Sequence, residues 1–198
     1  IMTSKFVPKW RGLPDKKTGQ TVWTVRMRLT LRGFQDWYKH LYETYAGTAS
    51  RMSQRLVASE TACRAHQGWK YTSFDVEKAF LQGMTYEELH QMTGEPPRKV
   101  YFVLPIGAAA IMRKIKDDTY DERHHCLQAL IPATGTADAP RAFTLKLTKV
   151  LKEHGYESTR GDPEFMCKHR NGDLTAIIAK HSDDGHLHVL QGNLSLIH

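Results

Sequence analysis

Two adjacent carboxylates, Asp183 and Asp184, fall at a turn between the extended runs Ile177-Ile178-Ala179-Lys180-His181 and Gly185-His186-Leu187-His188-Val189-Leu190. Carboxylate oxygens are hard ligands, and a pair held on a rigid hairpin can bind Mg²⁺ while leaving coordination positions for substrate phosphates. Alone the pair decides little. Asp-Asp also suits a solvated turn, and Asp117-Asp118 repeats it elsewhere in the chain. What matters is a third carboxylate, and Asp75 is the candidate. It stands between Phe74 and Val76, near the carboxyl end of an aromatic and β-branched run that starts at Trp69 and reads as a strand. A carboxylate buried in such surroundings is costly unless it is paired or metal-bound, which makes Asp75 a better functional candidate than an exposed Asp would be. The alternative is an N-cap on the turn that follows.

The elements that must position these groups follow from periodicity. Residues 1–20 hold Pro8, Pro14, Gly12 and Gly19 among basic side chains and read as a loop or hairpin lead-in. From Val25 to Arg32 apolar residues alternate strictly with Arg26, Arg28, Thr30 and Arg32, which predicts a half-buried strand with guanidiniums on its exposed face. Such a row can meet phosphates bidentately, or it can simply keep an edge strand solvated. Gly33 to Gly47 is aromatic and irregular. Ser50 is placed to cap a helix running to about His66, with Met52, Leu56 and Cys63 as its packing face and Gly68 beyond its end. Glu77 to Gly83 reads as one helical turn stopped by glycine. Lys99 to Leu104 is a short strand, and 108–125 reads as an insertion without a clear period. Ala139-Pro140-Arg141 opens an amphipathic helix whose apolar face is Phe143, Leu147, Val150 and Leu151, with Gly155 beyond its end. Asn171-Gly172 is a strong hairpin signal, so Glu164 to Leu190 reads as a three-stranded meander. The fold class expected is α+β, an antiparallel sheet with helices packed on one face.

With 198 residues, 40% of them hydrophobic and 25% charged, the chain has a globular composition that predicts one domain. The charge of +7 favours anionic partners, and the cations cluster early, at Lys5, Lys9, Arg11, Lys16, Lys17, Arg26, Arg28 and Arg32. Cys63, Cys126 and Cys167 are odd in number and far apart, which argues against a disulfide framework or zinc ribbon and for a reducing compartment. His124-His125-Cys126 reads as a polar loop. No apolar run reaches the ~18 to 20 residues of a membrane span, and the amino terminus has no signal pattern, so neither membrane insertion nor secretion is expected. The Ile1-Met2 start is taken as that of a fragment, and residues 191–198 as a tail foreign to the fold. There is no glycine-rich phosphate loop, no GxSxG and no Cys/His nucleophile pair.

Several segments together resemble the reverse transcriptase of copia-type LTR retrotransposons. Residues 26–34, RMRLTLRGF, resemble the family's KARLVAKGF; residues 74–83, FDVEKAFLQG, are similar to its LDVKTAFLNG; residues 100–107, VYFVLPIG, look like IYMRLPQG. Ala139-Pro140-Arg141-Ala142-Phe143 resembles QAPRAW, His154-Gly155-Tyr156 through Asp162-Pro163 is similar to the family's HGF and SDP segment, and Lys180 to Asp184 falls where the family has YVDD. The matches keep their order over residues 22–190. His181 and Ser182 stand at the family's Tyr and Val, and its LYGLKQ segment survives only as Gly135 and Asp138, the latter an acidic residue where the family has Gln.

The resemblance implies the fingers and palm of a right-hand polymerase. Asp75, Asp183 and Asp184 would form the carboxylate triad, with Asp75 and Asp183 as direct ligands of two Mg²⁺ ions, or Mn²⁺ in their place. Phe80 falls at the steric gate that excludes the ribose 2′-hydroxyl, and Arg28, with Arg26, would sit on the triphosphate. The implied partners are dNTPs and an RNA or DNA template-primer. The thumb, RNase H and integrase of a Pol polyprotein would lie outside this chain, and the setting would be intracellular, in a cytoplasmic particle or the nucleus. Two other readings stay open: a catalytically inactive, basic nucleic-acid-binding remnant of this fold, and an unrelated metal-dependent phosphohydrolase built on the same carboxylates.

Overall fold

The computed structural model describes residues 1–15, 18–115, 120, 121 and 123–190 apart from Ser182 and Asp183, with 184–190 described as backbone. The Asp117-Asp118 pair and the 191–198 tail lie outside the described residues. In chain order the elements are β1 (Met2–Pro14), β2 (Thr21–Leu31), α1 (Arg51–Arg64), β3 (Trp69–Asp75), α2 (Tyr86–Thr93), β4 (Val100–Val103), α3 (Ala108–Ile115), β5 (Leu127–Ala129), α4 (Ala139–Glu153), β6 (Tyr156–Ser158), β7 (Phe165–Arg170), β8 (Asp173–His181) and β9 (Asp184–Leu190). The class is α+β, and no helix among the described residues is long and apolar enough to cross a membrane. Two compact units emerge, each assembled from two stretches of chain: Ile1–Tyr42 with Thr85–Ala139, and Glu43–Met84 with Pro140–His198.

The first unit holds a four-stranded sheet in the order β2-β1-β4-β5. The amino-terminal stretch is a strand rather than a loop: β1 pairs antiparallel with β2 from Ser4↔Leu31 to Pro14↔Thr21. β4 runs parallel to β1 but pairs only with Met2 and Thr3. The half-burial expected of β2 is not found, because only Leu31 at its base is buried while Val25, Met27 and Leu29 remain exposed. The alternation is real, but among the described residues no layer of this unit covers the apolar side. Helix α2 escaped the reading of periodicity, although Thr85 and Glu88 announce it as a capping box: the Thr85 hydroxyl accepts from the Glu88 N–H while the Glu88 carboxylate accepts from the Thr85 N–H. The stretch 108–125, expected to lack a period, begins with α3.

The second unit is built on a five-stranded antiparallel sheet in the order β3-β9-β8-β7-β6. The meander forms as expected, and Asn171 (φ 55°) and Gly172 (φ 86°) supply the two left-handed residues that a tight hairpin with the strands' own twist requires. The helices do not share one face of the sheet. Val57 of α1 packs with Trp69, Phe165, Ile177 and Ala179, whereas Leu151 of α4 packs with Tyr156, Met166, Ala176, Ile178 and Phe74. Successive residues of β8 point to opposite faces, and the unbroken burial from Thr175 to Lys180 shows that both faces are covered. The inward stripe of α1 also differs from expectation, since Met52, Leu56 and Cys63 are exposed and Ser53 and Val57 are buried.

Ser53 tolerates burial because its hydroxyl donates to the Asp162 carboxylate at 2.5 Å, which also accepts from the Ser50 N–H at 2.8 Å, while the Ser50 side chain caps the helix. Burial acts to raise the Asp162 carboxyl, but these hydrogen bonds and one from the Glu164 N–H outweigh it and hold it below its ordinary value. A carboxyl depressed in the folded state stabilises above its unfolded pKa, and that contribution fades as pH falls through the folded one. Asp162→Asn is therefore expected to lower unfolding free energy by about 1–2 kcal/mol near neutrality, with the gap to wild type closing below pH ~4. Urea denaturation across that range measures it.

Candidate carboxylate site

Asp75 ends β3, and the register sets it opposite Asp184 at the start of β9. Asp184 in turn pairs with His181 at the end of β8. One cross-strand row therefore runs Asp75, Asp184, His181, with directly opposed Cα atoms in antiparallel strands about 4.5–5.5 Å apart. Asp183 and Ser182 lie outside the described residues. Asp75 is exposed, so the burial argument that singled it out does not hold. Alternation explains this: Phe74 turns toward the α4 side of the sheet and its neighbour turns away. An exposed carboxylate keeps its oxygens accessible to a ligand, and Asp75 has no hydrogen bond or ion pair among the described residues.

The turn after β3 is a 3₁₀ turn, Ala79–Gln82, preceded by Lys78 in the left-handed conformation (φ 54°). It carries Phe80, half-buried, five residues beyond Asp75. Gly83 ends it where a side chain would meet the backbone of α4, with a Cβ there 3.2 Å from the Phe143 nitrogen. The Met84 N–H donates to the Ala142 carbonyl nearby. α4 thus braces the segment that carries Phe80.

β8 reaches the carboxylate row through a feature the sequence reading passed over. Lys180 is 1% exposed, and its Nζ forms an ion pair with Glu164 Oε2 at 2.5 Å and donates a hydrogen bond to Thr148 Oγ1 at 2.6 Å. Its N–H donates to the Glu164 carbonyl, and its carbonyl accepts from the Ala49 N–H. The signal was available: a lysine embedded directly after Ile177-Ile178-Ala179 needs a buried counter-charge.

Arg26 and Arg28 belong to the other unit, side by side on one face of the β1–β2 ribbon, where their cross-strand partners are Lys9 and Val7. In the same unit a cavity of about 380 Å³ is lined by Lys5, Thr30, Leu31, Arg32, Gly33, Phe34 and Gly135. It forms where two backbones meet: a Cβ on Gly33 would collide with the Gly135 carbonyl, and one on Gly135, whose φ is 99°, with the Leu31 carbonyl. The Leu31 N–H donates to the Thr134 carbonyl across the same contact. Asp138 is committed elsewhere, to a buried network in which Arg98 bridges it and Asp36 while stacking on Tyr42 and Tyr86. Burial, reinforced by the Asp138 charge, raises the Tyr86 phenol well above its ordinary pKa.

No protein-family model matches the chain, and no curated protein matches it. The geometry alone therefore shows a cross-strand row with two aspartates in one unit, and a ribbon with one basic face and a cavity at the Gly33–Gly135 contact in the other.

Proposed function

We propose that the chain is the fingers and palm portion of an RNA-directed DNA polymerase of the copia retrotransposon kind, extending a primer 3′-hydroxyl by nucleotidyl transfer. The observation that carries this reading is the register of β3 on β9, which brings Asp75 beside Asp184 although 108 residues separate them in the chain. Oxygen donors on adjacent strands suit a hard divalent cation, and Asp75, Asp183 and Asp184 are the residues that would hold Mg²⁺. Bound there, Mg²⁺ or Mn²⁺ would supply charge stabilisation for an in-line displacement at phosphorus. Arg26 and Arg28 donate to phosphate oxygens of a dNTP, and the Phe80 ring limits the space open to a 2′-hydroxyl. A template-primer and the rest of a Pol polyprotein complete the proposed set of partners.

A second reading, an inactive nucleic-acid-binding remnant, is favoured by His181, an exposed imidazole in the carboxylate row where the related polymerases carry tyrosine. Labelled primer on an RNA template with Mg²⁺ separates the two. Extension by wild type but not by Asp183→Ala is expected. Equal extension by both sinks the catalytic assignment, and template binding with no extension by either supports the remnant.

A further inference from the structure

Among the described residues, β1 beyond Thr3 pairs only with β2, so the hairpin is a two-stranded ribbon there. The register puts the tryptophans and the charges on different faces, although Val7, Leu13 and Val22 lie with the charges. Phe6, Pro8, Trp10 and Gly12 share one face with Leu29, Met27, Val25 and Trp23, while Lys5, Lys9, Arg11, Arg26 and Arg28 share the other. Trp10 is 67% exposed and Trp23 66%, and Val25, Met27 and Leu29 are exposed beside them. Two-stranded hairpins are marginal in water unless a layer covers one face, and among the described residues none covers this one.

We propose that this apolar face is a self-association surface, on which two copies of the chain pack their hairpins face to face as an isologous dimer. Three observations choose a second copy over other occupants. First, every cation of the ribbon among the described residues is on the opposite face, so apposition of two apolar faces brings none of these charges together. Second, the apolar face carries no cationic side chain, its side-chain donors being the two indole N–H groups, so phosphates of nucleic acid or anionic lipid are drawn to the cationic face instead. Third, the area suffices: two tryptophans at two-thirds exposure, with the exposed parts of Val25, Met27 and Leu29, amount to roughly 500–600 Å² per copy, or about 1,000–1,200 Å² in all, the lower edge of specific interfaces. An interface of this size belongs with weak, concentration-dependent associations, and it does not depend on the polymerase reading.

Sedimentation velocity on the nuclease-treated full chain, from low to high micromolar, tests the proposal. Wild type is expected to pass from monomer to dimer, with a blue shift of tryptophan emission as it does so and no weakening in high salt. Trp10→Thr with Trp23→Thr is expected to weaken association by about 100-fold or more, as loss of paired aromatic anchors does. Met27→Glu places a charge that is solvated in the monomer and buried in the dimer, so it keeps the wild-type circular dichroism and remains monomeric. A monomer at every concentration overturns the proposal, as does a dimer unmoved by Met27→Glu. Association abolished by nuclease assigns the surface to nucleic acid instead, and partition of wild type into neutral phosphatidylcholine vesicles without dimerisation assigns it to membrane.

Discussion

Glu164→Leu is expected to lower the unfolding free energy by about 3–5 kcal/mol, because it leaves the Lys180 ammonium buried with no counter-charge. At 1% exposure that ammonium has no route to water, and its remaining hydrogen bond, to Thr148 Oγ1, supplies no negative charge. Lys180→Met is expected to cost less, since the Glu164 side chain is 15% exposed and regains part of its hydration. The double variant Lys180→Met with Glu164→Leu is expected to recover most of the loss, as apolar replacement of a buried pair is often close to neutral. Urea denaturation of the four proteins closes the cycle, and a double variant as unstable as the sum of the singles would show that the two side chains act independently. The pair also fixes where β8 ends, because the backbone of Lys180 bonds to Glu164 on one side and Ala49 on the other, one residue before His181 enters the carboxylate row.

What the sequence made legible was local. The Asn171-Gly172 turn, the Ser50 cap and the proline at the start of α4 each rest on chemistry within four residues, and each appears where the pattern places it. What escaped was set by partners far along the chain. Alternation in β2 showed a strand but could not say whether anything would cover its apolar side. Both faces of β8 carry apolar residues, which pattern alone does not distinguish from a run buried on one face and supported by a neighbour on the other. The Arg98 network joins residues 62 and 40 positions away, with no local signal to announce it. The candidate site divides in the same way: residue type and strand pattern singled out Asp75 and the Asp183-Asp184 pair, while the pairing of β3 with β9 belongs to the long-range topology. The argument for Asp75 from burial failed because one position of alternation separates it from Phe74, and that position decides which way the side chain turns.

That exposure sharpens the final prediction. If Asp75 held the fold together, its substitution would register as lost stability. Instead it has no hydrogen bond or ion pair among the described residues, so Asp75→Asn is expected to leave the urea midpoint unchanged. On the polymerase reading the same change is expected to reduce primer extension by about 10³-fold or more, since a neutral amide removes charge that a divalent cation and a developing phosphorane require. Raising Mg²⁺ is expected to recover little of the rate in the variant, because the ligand itself is missing. On the same reading His181→Tyr acts in the opposite sense: it places in the cross-strand row the aromatic hydroxyl that copia-type reverse transcriptases carry there, and faster extension is expected with Asp75 intact but not in the Asp75→Asn background. A fall in stability with Asp75→Asn that matches its loss of extension would make Asp75 a structural residue. A stable variant that extends as well as wild type would leave the acidic row without the chemistry assigned to it.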